Sequence, residues 1–140
     1  MTETNEFSFN NIHVGQKESF SKKIIESMLD EFSDFSGDFN PLHMDESFAE
    51  SSTFKKRIVH GMLLASFFSQ LVGMKLPGKN ALYFSQTLNF RSPCYINDEI
   101  QIIGEVIDKS SSTKIITIST SIINSSGTCL IDGTAKVIVR

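Results

Sequence analysis

From Gly61 to Met74 the chain is apolar almost all the way round a helical wheel. Met62, Leu63, Leu64, Ala65, Phe67, Phe68, Leu71, Val72 and Met74 cover most of the circumference, and a helix with that pattern belongs in a core. The exceptions are Ser66, Ser69, Gln70 and Gly73, which fall at i, i+3, i+4 and i+7. They draw a narrow stripe of small or polar groups, suited to close packing or to lining a channel. Leu76-Pro77-Gly78 ends the helix. The period then changes to two. Leu82, Phe84, Leu88 and Phe90 alternate with polar neighbours, Ile100–Val106 is rich in β-branched residues, Ile116, Ile118 and Ile122 recur in a Ser/Thr run, and Val137–Val139 closes the chain. These segments predict at least four strands, with hairpin turns at Ser110-Ser111-Ser112 and Ser125-Ser126-Gly127.

The first half is more broken. Lys17–Glu26 predicts a short strand around Phe20, Ile24 and Ile25. Ser27 is placed to cap a following helix, with Asp30 and Glu31 in its first turn and Met28, Leu29, Phe32 and Phe35 at helical spacing. Ser36-Gly37 ends it, and Asn40-Pro41 prolongs the break. Asp45–Glu50 allows one or two helical turns, and Lys55-Lys56-Arg57 is a basic cluster on a loop. Residues 1–10 read as a flexible lead-in and residues 11–140 as one domain. The class is α+β: an antiparallel sheet wrapped around one long central helix.

At 140 residues one domain buries roughly 68–70% of its unfolded surface, enough for a true core. A net charge of −3 argues against a nucleic-acid surface, which needs clustered excess Lys and Arg. The polar, acidic N-terminus lacks a basic segment followed by an apolar one, so no signal peptide is expected. The segment around Met62–Met74 is too short and too interrupted for membrane insertion. Cys94 and Cys129 do not make a disulfide framework, and a cytoplasmic location with reduced thiols follows as the expectation.

Candidate chemistry concentrates in Ser36-Gly37-Asp38-Phe39-Asn40-Pro41-Leu42-His43. A carboxylate and an imidazole five positions apart, in a segment too broken for a regular helix, are an acid–base candidate. The same residue types also build capped turns, and spacing alone leaves both readings open. His60-Gly61 opens the buried helix, where free N–H groups favour negative charge and glycine admits close approach. His13, His43 and His60, with Asp38 or Asp45, lack the spacing of a metal site. Cys94 reads as an inert structural thiol.

The motif at 36–43, followed by Ile58-Val59-His60-Gly61-Met62-Leu63, resembles the (R)-specific enoyl-CoA hydratases of the MaoC-like family. The resemblance continues through Ala65-Ser66-Phe67-Phe68, Leu76-Pro77-Gly78 and Leu88-Asn89-Phe90, and runs from about Phe7 to the end. It implies the hot-dog fold, usually a homodimer, with Asp38 and His43 as the catalytic pair holding one water. It further implies that Asn40 fixes the loop, that the Gly61 N–H binds the thioester oxygen, and that Ser69 and Val72 border the acyl pocket. The implied substrate is a trans-2-enoyl-CoA of short to medium chain, the implied product an (R)-3-hydroxyacyl-CoA, and no metal or cofactor beyond the substrate's own coenzyme A is implied. Arg91 and Lys136 are candidates for CoA phosphates on charge alone. Competing expectations are a 3-hydroxyacyl-[acyl carrier protein] dehydratase, with Lys55-Lys56-Arg57 as the carrier's rim, a thioesterase, and a non-catalytic acyl-thioester binding module.

Overall fold

The computed structural model describes residues 3–140. Three long strands, β4 (Glu99–Ser110), β5 (Ile115–Asn124) and β6 (Cys129–Val139), run as a meander joined at the two serine-rich turns. Strand β1 (Lys17–Lys23) pairs with β4, and β2 (Ala81–Gln86) and β3 (Asn89–Phe90) both pair with β6. Every pairing is antiparallel, in the order β1-β4-β5-β6-β2. Alternation then sorts the side chains. Ile100, Ile102, Val106, Ile116, Ile118, Ile122, Ala135 and Val137 all bury on one face.

That face curls around helix α4 (Gly61–Gln70) and the wider π-type turn that continues it, Leu71–Lys75. Leu63, Leu64, Phe68 and Leu71 pack against Ile100, Ile102, Ile122, Leu130 and Ile131. Val72 and Leu76 enter a second cluster with Ile116, Ile118 and Val137. The α+β class and the curled sheet around one helix are as expected. In this chain, however, α4 is covered on one side only. Met62, Ser66, Ser69 and Gly73 lie exposed along the other, so the small-residue stripe faces outward and not into the sheet.

Other local expectations are corrected. Helix α1 (Glu26–Ser36) begins before Ser27, with Ile25 at its N-cap and no side-chain cap. The start is set by Ile24, fully buried and pinned by its N–H to Asp98 O and its carbonyl to Asn97 N. Pro41 opens the short helix α2 (Pro41–Met44) instead of prolonging the break, since proline gives up no helical hydrogen bond at the first position. Helix α3 (Glu46–Glu50) starts under an Asp45 cap. Of the segment expected to be a flexible lead-in, Asn5 and Phe7 hydrogen-bond to Met74 O and Pro77 O, and Phe9–Asn11 forms a 3-10 turn; Met1 and Thr2 lie outside the described residues. Among the described residues no helix is long and apolar enough to cross a membrane.

Candidate active site

The turn at 36–43 is built locally. Gly37 ends α1 in the left-handed region at φ 80°, donating to Ser33 O, a conformation natural to glycine. The Asp38 N–H donates to Ser36 Oγ at 3.1 Å, and Asp38 Oδ1 accepts from the Asn40 N–H at 3.1 Å. Asn40 caps α2, its Oδ1 accepting from Leu42 N at 3.0 Å and its carbonyl from His43 N at 2.9 Å. Asn40 therefore fixes the loop, and both readings of these residues hold together: they build a capped turn, and that turn carries the acid–base candidates.

His43 is oriented from the 57–60 segment. Its Nδ1 lies 2.8 Å from Ile58 O; a carbonyl only accepts, so Nδ1 carries the hydrogen and Nε2 is left with a lone pair. Leu42 O accepts from Ile58 N at 3.3 Å. The Arg57 guanidinium, 5% exposed, donates to His43 O at 2.6 Å and to Glu26 at 2.9 Å. Arg57 is thus an internal brace of the turn that carries His43, and its expected place on a basic rim is corrected.

Asp38, His43, His60 and Gly61 line one groove of about 500 Å³ with Phe54, Ile58, Met62, Leu64, Phe90, Arg91 and Leu130. Gly61 is the first residue of α4, so its N–H is one of the four without an intrahelical partner. A β-carbon there would sit 2.6 Å from the Phe90 ring; glycine keeps the approach to that N–H open. The side chains of Asp38, His43 and His60 each bring a potential ligand atom within 4.8 Å of the others. The two imidazoles, however, stack at 4.1 Å and 28°. Their in-plane lone pairs run side by side and do not converge on one ion, while one nitrogen of each ring is already hydrogen-bonded. The geometry favours proton handling.

The other expected site residues lie apart. Ser69 is exposed on the open side of α4 and Val72 is buried in the second core cluster; neither lines this groove. Arg91 lines it but is paired with Asp132 at 3.2 Å. Lys136 is exposed on β6 between Thr117 and Ser85, away from the groove.

His60 is the main residue that sequence reasoning underused. It is 1% exposed, and burial pushes its pKa below the ordinary 6.5, with the neighbouring His43 and Arg57 acting the same way against a raising influence from Asp38. The unfolded chain accordingly binds a proton at His60 more readily than the folded chain. Stability is full above pH 6.5 and falls as the pH drops below 6.5 toward the lower folded value. Asp132, held below the ordinary 3.8 chiefly by Arg91 and Asn89, contributes stability that is lost only in more acidic solution. The melting temperature is therefore expected to be lower at pH 5.5 than at pH 7.5, and His60→Gln to flatten that difference; an unchanged slope in the variant would assign it to other groups.

A curled antiparallel sheet with a carboxylate and an imidazole beside a free helix N-terminus places the chain among the hot-dog hydro-lyases. It belongs to the MaoC like domain family, whose model matches residues 8–127. It is 41% identical over 130 residues to the (R)-specific enoyl-CoA hydratase of Aeromonas caviae, covering 93% of this chain and 97% of that one. It is 38% identical over 131 residues to the (R)-specific enoyl-CoA hydratase of Rhodospirillum rubrum, covering 94% and 90%. Among solved structures, the unliganded R-hydratase of Pseudomonas aeruginosa superposes with a TM-score of 0.92 at 32% identity, over 97% of this chain and 87% of that one.

Proposed function

We propose that this chain is an (R)-specific enoyl-CoA hydratase, working as a homodimer on cytoplasmic trans-2-enoyl-CoA of short to medium chain length. The observation that carries the reading is the meeting of Asp38, the His43 imidazole and the Gly61 N–H on one groove. A water held between the Asp38 carboxylate and His43 Nε2 loses a proton to this pair as its oxygen bonds to C3. The C2–C3 π electrons shift toward the carbonyl, and the resulting enolate oxygen is met by the Gly61 N–H. The enolate then takes a proton at C2 from the same pair. The new C3–O and C2–H bonds form on one side of the double bond, so the addition is syn, and the pair returns to its starting state. One water and its protons move without net oxidation, so the scheme calls on no redox cofactor.

The test is loss of the conjugated-thioester absorbance of crotonyl-CoA, followed by chirality assignment of the product with a stereospecific 3-hydroxyacyl dehydrogenase. An (S) product or release of free thiol overturns the reading. Rates across a series of chain lengths fix the acyl range. Faster turnover on acyl carrier protein thioesters would transfer the site to that carrier.

The two sheet edges support the homodimer. Strand β1 presents Lys17, Ser19, Ser21 and Lys23, whereas β2 exposes Leu82, Tyr83 and Phe84. Charge protects an edge from pairing and an apolar edge invites it. A second copy seated on the β2 side covers these residues. Sedimentation should give a dimer, and Phe84→Glu should shift it toward monomer; a wild-type monomer at micromolar concentration contradicts this part.

A further inference from the structure

The proposed addition needs the carboxylate and the imidazole at a fixed spacing, yet both sit on a short turn at the surface. We infer that His60 is the positioning residue that holds acid, base and oxyanion donor in one frame. The inference rests on the hydratase reading and extends it to a residue that does no proton transfer itself.

His60 Nε2 lies 3.2 Å from Asp38 O and 3.1 Å from Ser33 Oγ. The carbonyl only accepts, so Nε2 carries the hydrogen. Ser33, itself fully buried in α1, directs its own hydroxyl hydrogen to Met44 Sδ at 3.1 Å. Its oxygen therefore also presents a lone pair to the His60 N–H, and one hydrogen is shared between the end of α1 and the backbone of the catalytic acid. With Nε2 protonated, Nδ1 is the bare nitrogen, and it is buried with no hydrogen-bond partner among the described residues. That tautomer leaves an unpaired acceptor in the interior and not an unpaired N–H donor. A second proton would leave an N–H there with no acceptor.

The ring face does separate work. It stacks on the His43 ring at 4.1 Å, with Phe32 against it at 4.8 Å and 57°, so packing against the base adds a smaller share to what the hydrogen bonds hold. Along the backbone, His60 O accepts from Leu63 N and Leu64 N and starts α4, with Gly61 next in sequence. Displacement of His60 shifts all three groups relative to one another, and a misplacement near 1 Å can lower turnover by about 10²-fold.

Two substitutions separate positioning from packing. His60→Phe keeps the ring and the stacking surface but donates nothing. His60→Gln keeps an N–H that can reach Ser33 Oγ and Asp38 O but loses the ring. If His60 only fills space, the phenylalanine variant is the better enzyme. Positioning predicts the reverse: His60→Phe loses about 10²-fold in kcat on crotonyl-CoA with KM nearly unchanged, and His60→Gln stays within about tenfold of wild type. An independent readout is amide hydrogen exchange across residues 38–43, which rises in His60→Phe and holds in His60→Gln. Wild-type kcat and unchanged exchange in His60→Phe overturn the inference. A wild-type chain inactive on every enoyl-CoA overturns the hydratase reading instead, and the exchange measurement still decides whether His60 holds the turn.

Discussion

Replacing Asp38 by Asn, or His43 by Ala, is expected to lower crotonyl-CoA hydration by about 10²–10⁴-fold, the range typical of removing a positioned acid–base group. The two variants differ in what else they disturb. Asparagine matches aspartate in shape and keeps an oxygen to accept the Asn40 N–H, the bond that closes the turn at 3.1 Å. Asp38→Asn should therefore leave the melting temperature where it was, and the lost rate then belongs to the carboxylate alone. His43→Ala removes the hydrogen bond to Ile58 O and the stacking on His60. One such bond is worth about 0.5–1.5 kcal/mol, so a lower melting temperature should accompany the lost activity. Rates read from thioester absorbance and thermal melts of both variants check this pattern. Full activity in Asp38→Asn removes Asp38 from the chemistry without touching the fold.

The parts of this molecule that were legible in its sequence are those decided by near neighbours. Gly37 ends α1 in the one backbone region that favours glycine, the helical turns expected over Asp45–Glu50 form as α3, and the period-two runs became β4, β5 and β6. Asp38, His43 and Gly61 lie on one groove, as the motif resemblance implies. What could not be read depends on partners far along the chain. Arg57 stands beside two lysines and looks like surface charge, yet it is buried because His43 O, 14 residues away, and Glu26, 31 residues away, take its N–H groups. His60 looks like a flank of Gly61, and only its approach to Ser33 and Asp38 gives it a task. The apolar wheel of α4 exceeded what one sheet could cover. A pattern of burial in sequence does not say whether the cover comes from the same chain, and the open stripe of Met62, Ser66, Ser69 and Gly73 is where that ambiguity shows.

Gly61→Ala gives the second large effect, and it separates the fold from the chemistry most cleanly. The new methyl would lie 2.6 and 2.7 Å from two carbons of the Phe90 ring. Phe90 is 55% exposed on the two-residue strand β3, so its ring can swing outward, and alanine is the better helix former by about 1 kcal/mol. The melting temperature should hold or rise slightly. Activity should fall, because the methyl and the displaced ring crowd the approach of the thioester oxygen to the N–H at the head of α4. Losing one such donor typically removes about 10²–10³-fold in kcat. The negative charge it meets is greatest in the transition state, so kcat should suffer more than KM. Phe90→Ala in the Gly61→Ala background tells which obstacle matters: it relieves the ring contact but leaves the methyl beside the N–H. A rate that stays low in the double variant assigns the loss to the blocked N–H, whereas recovery to wild-type turnover would mean that Gly61 matters only as the space into which Phe90 packs.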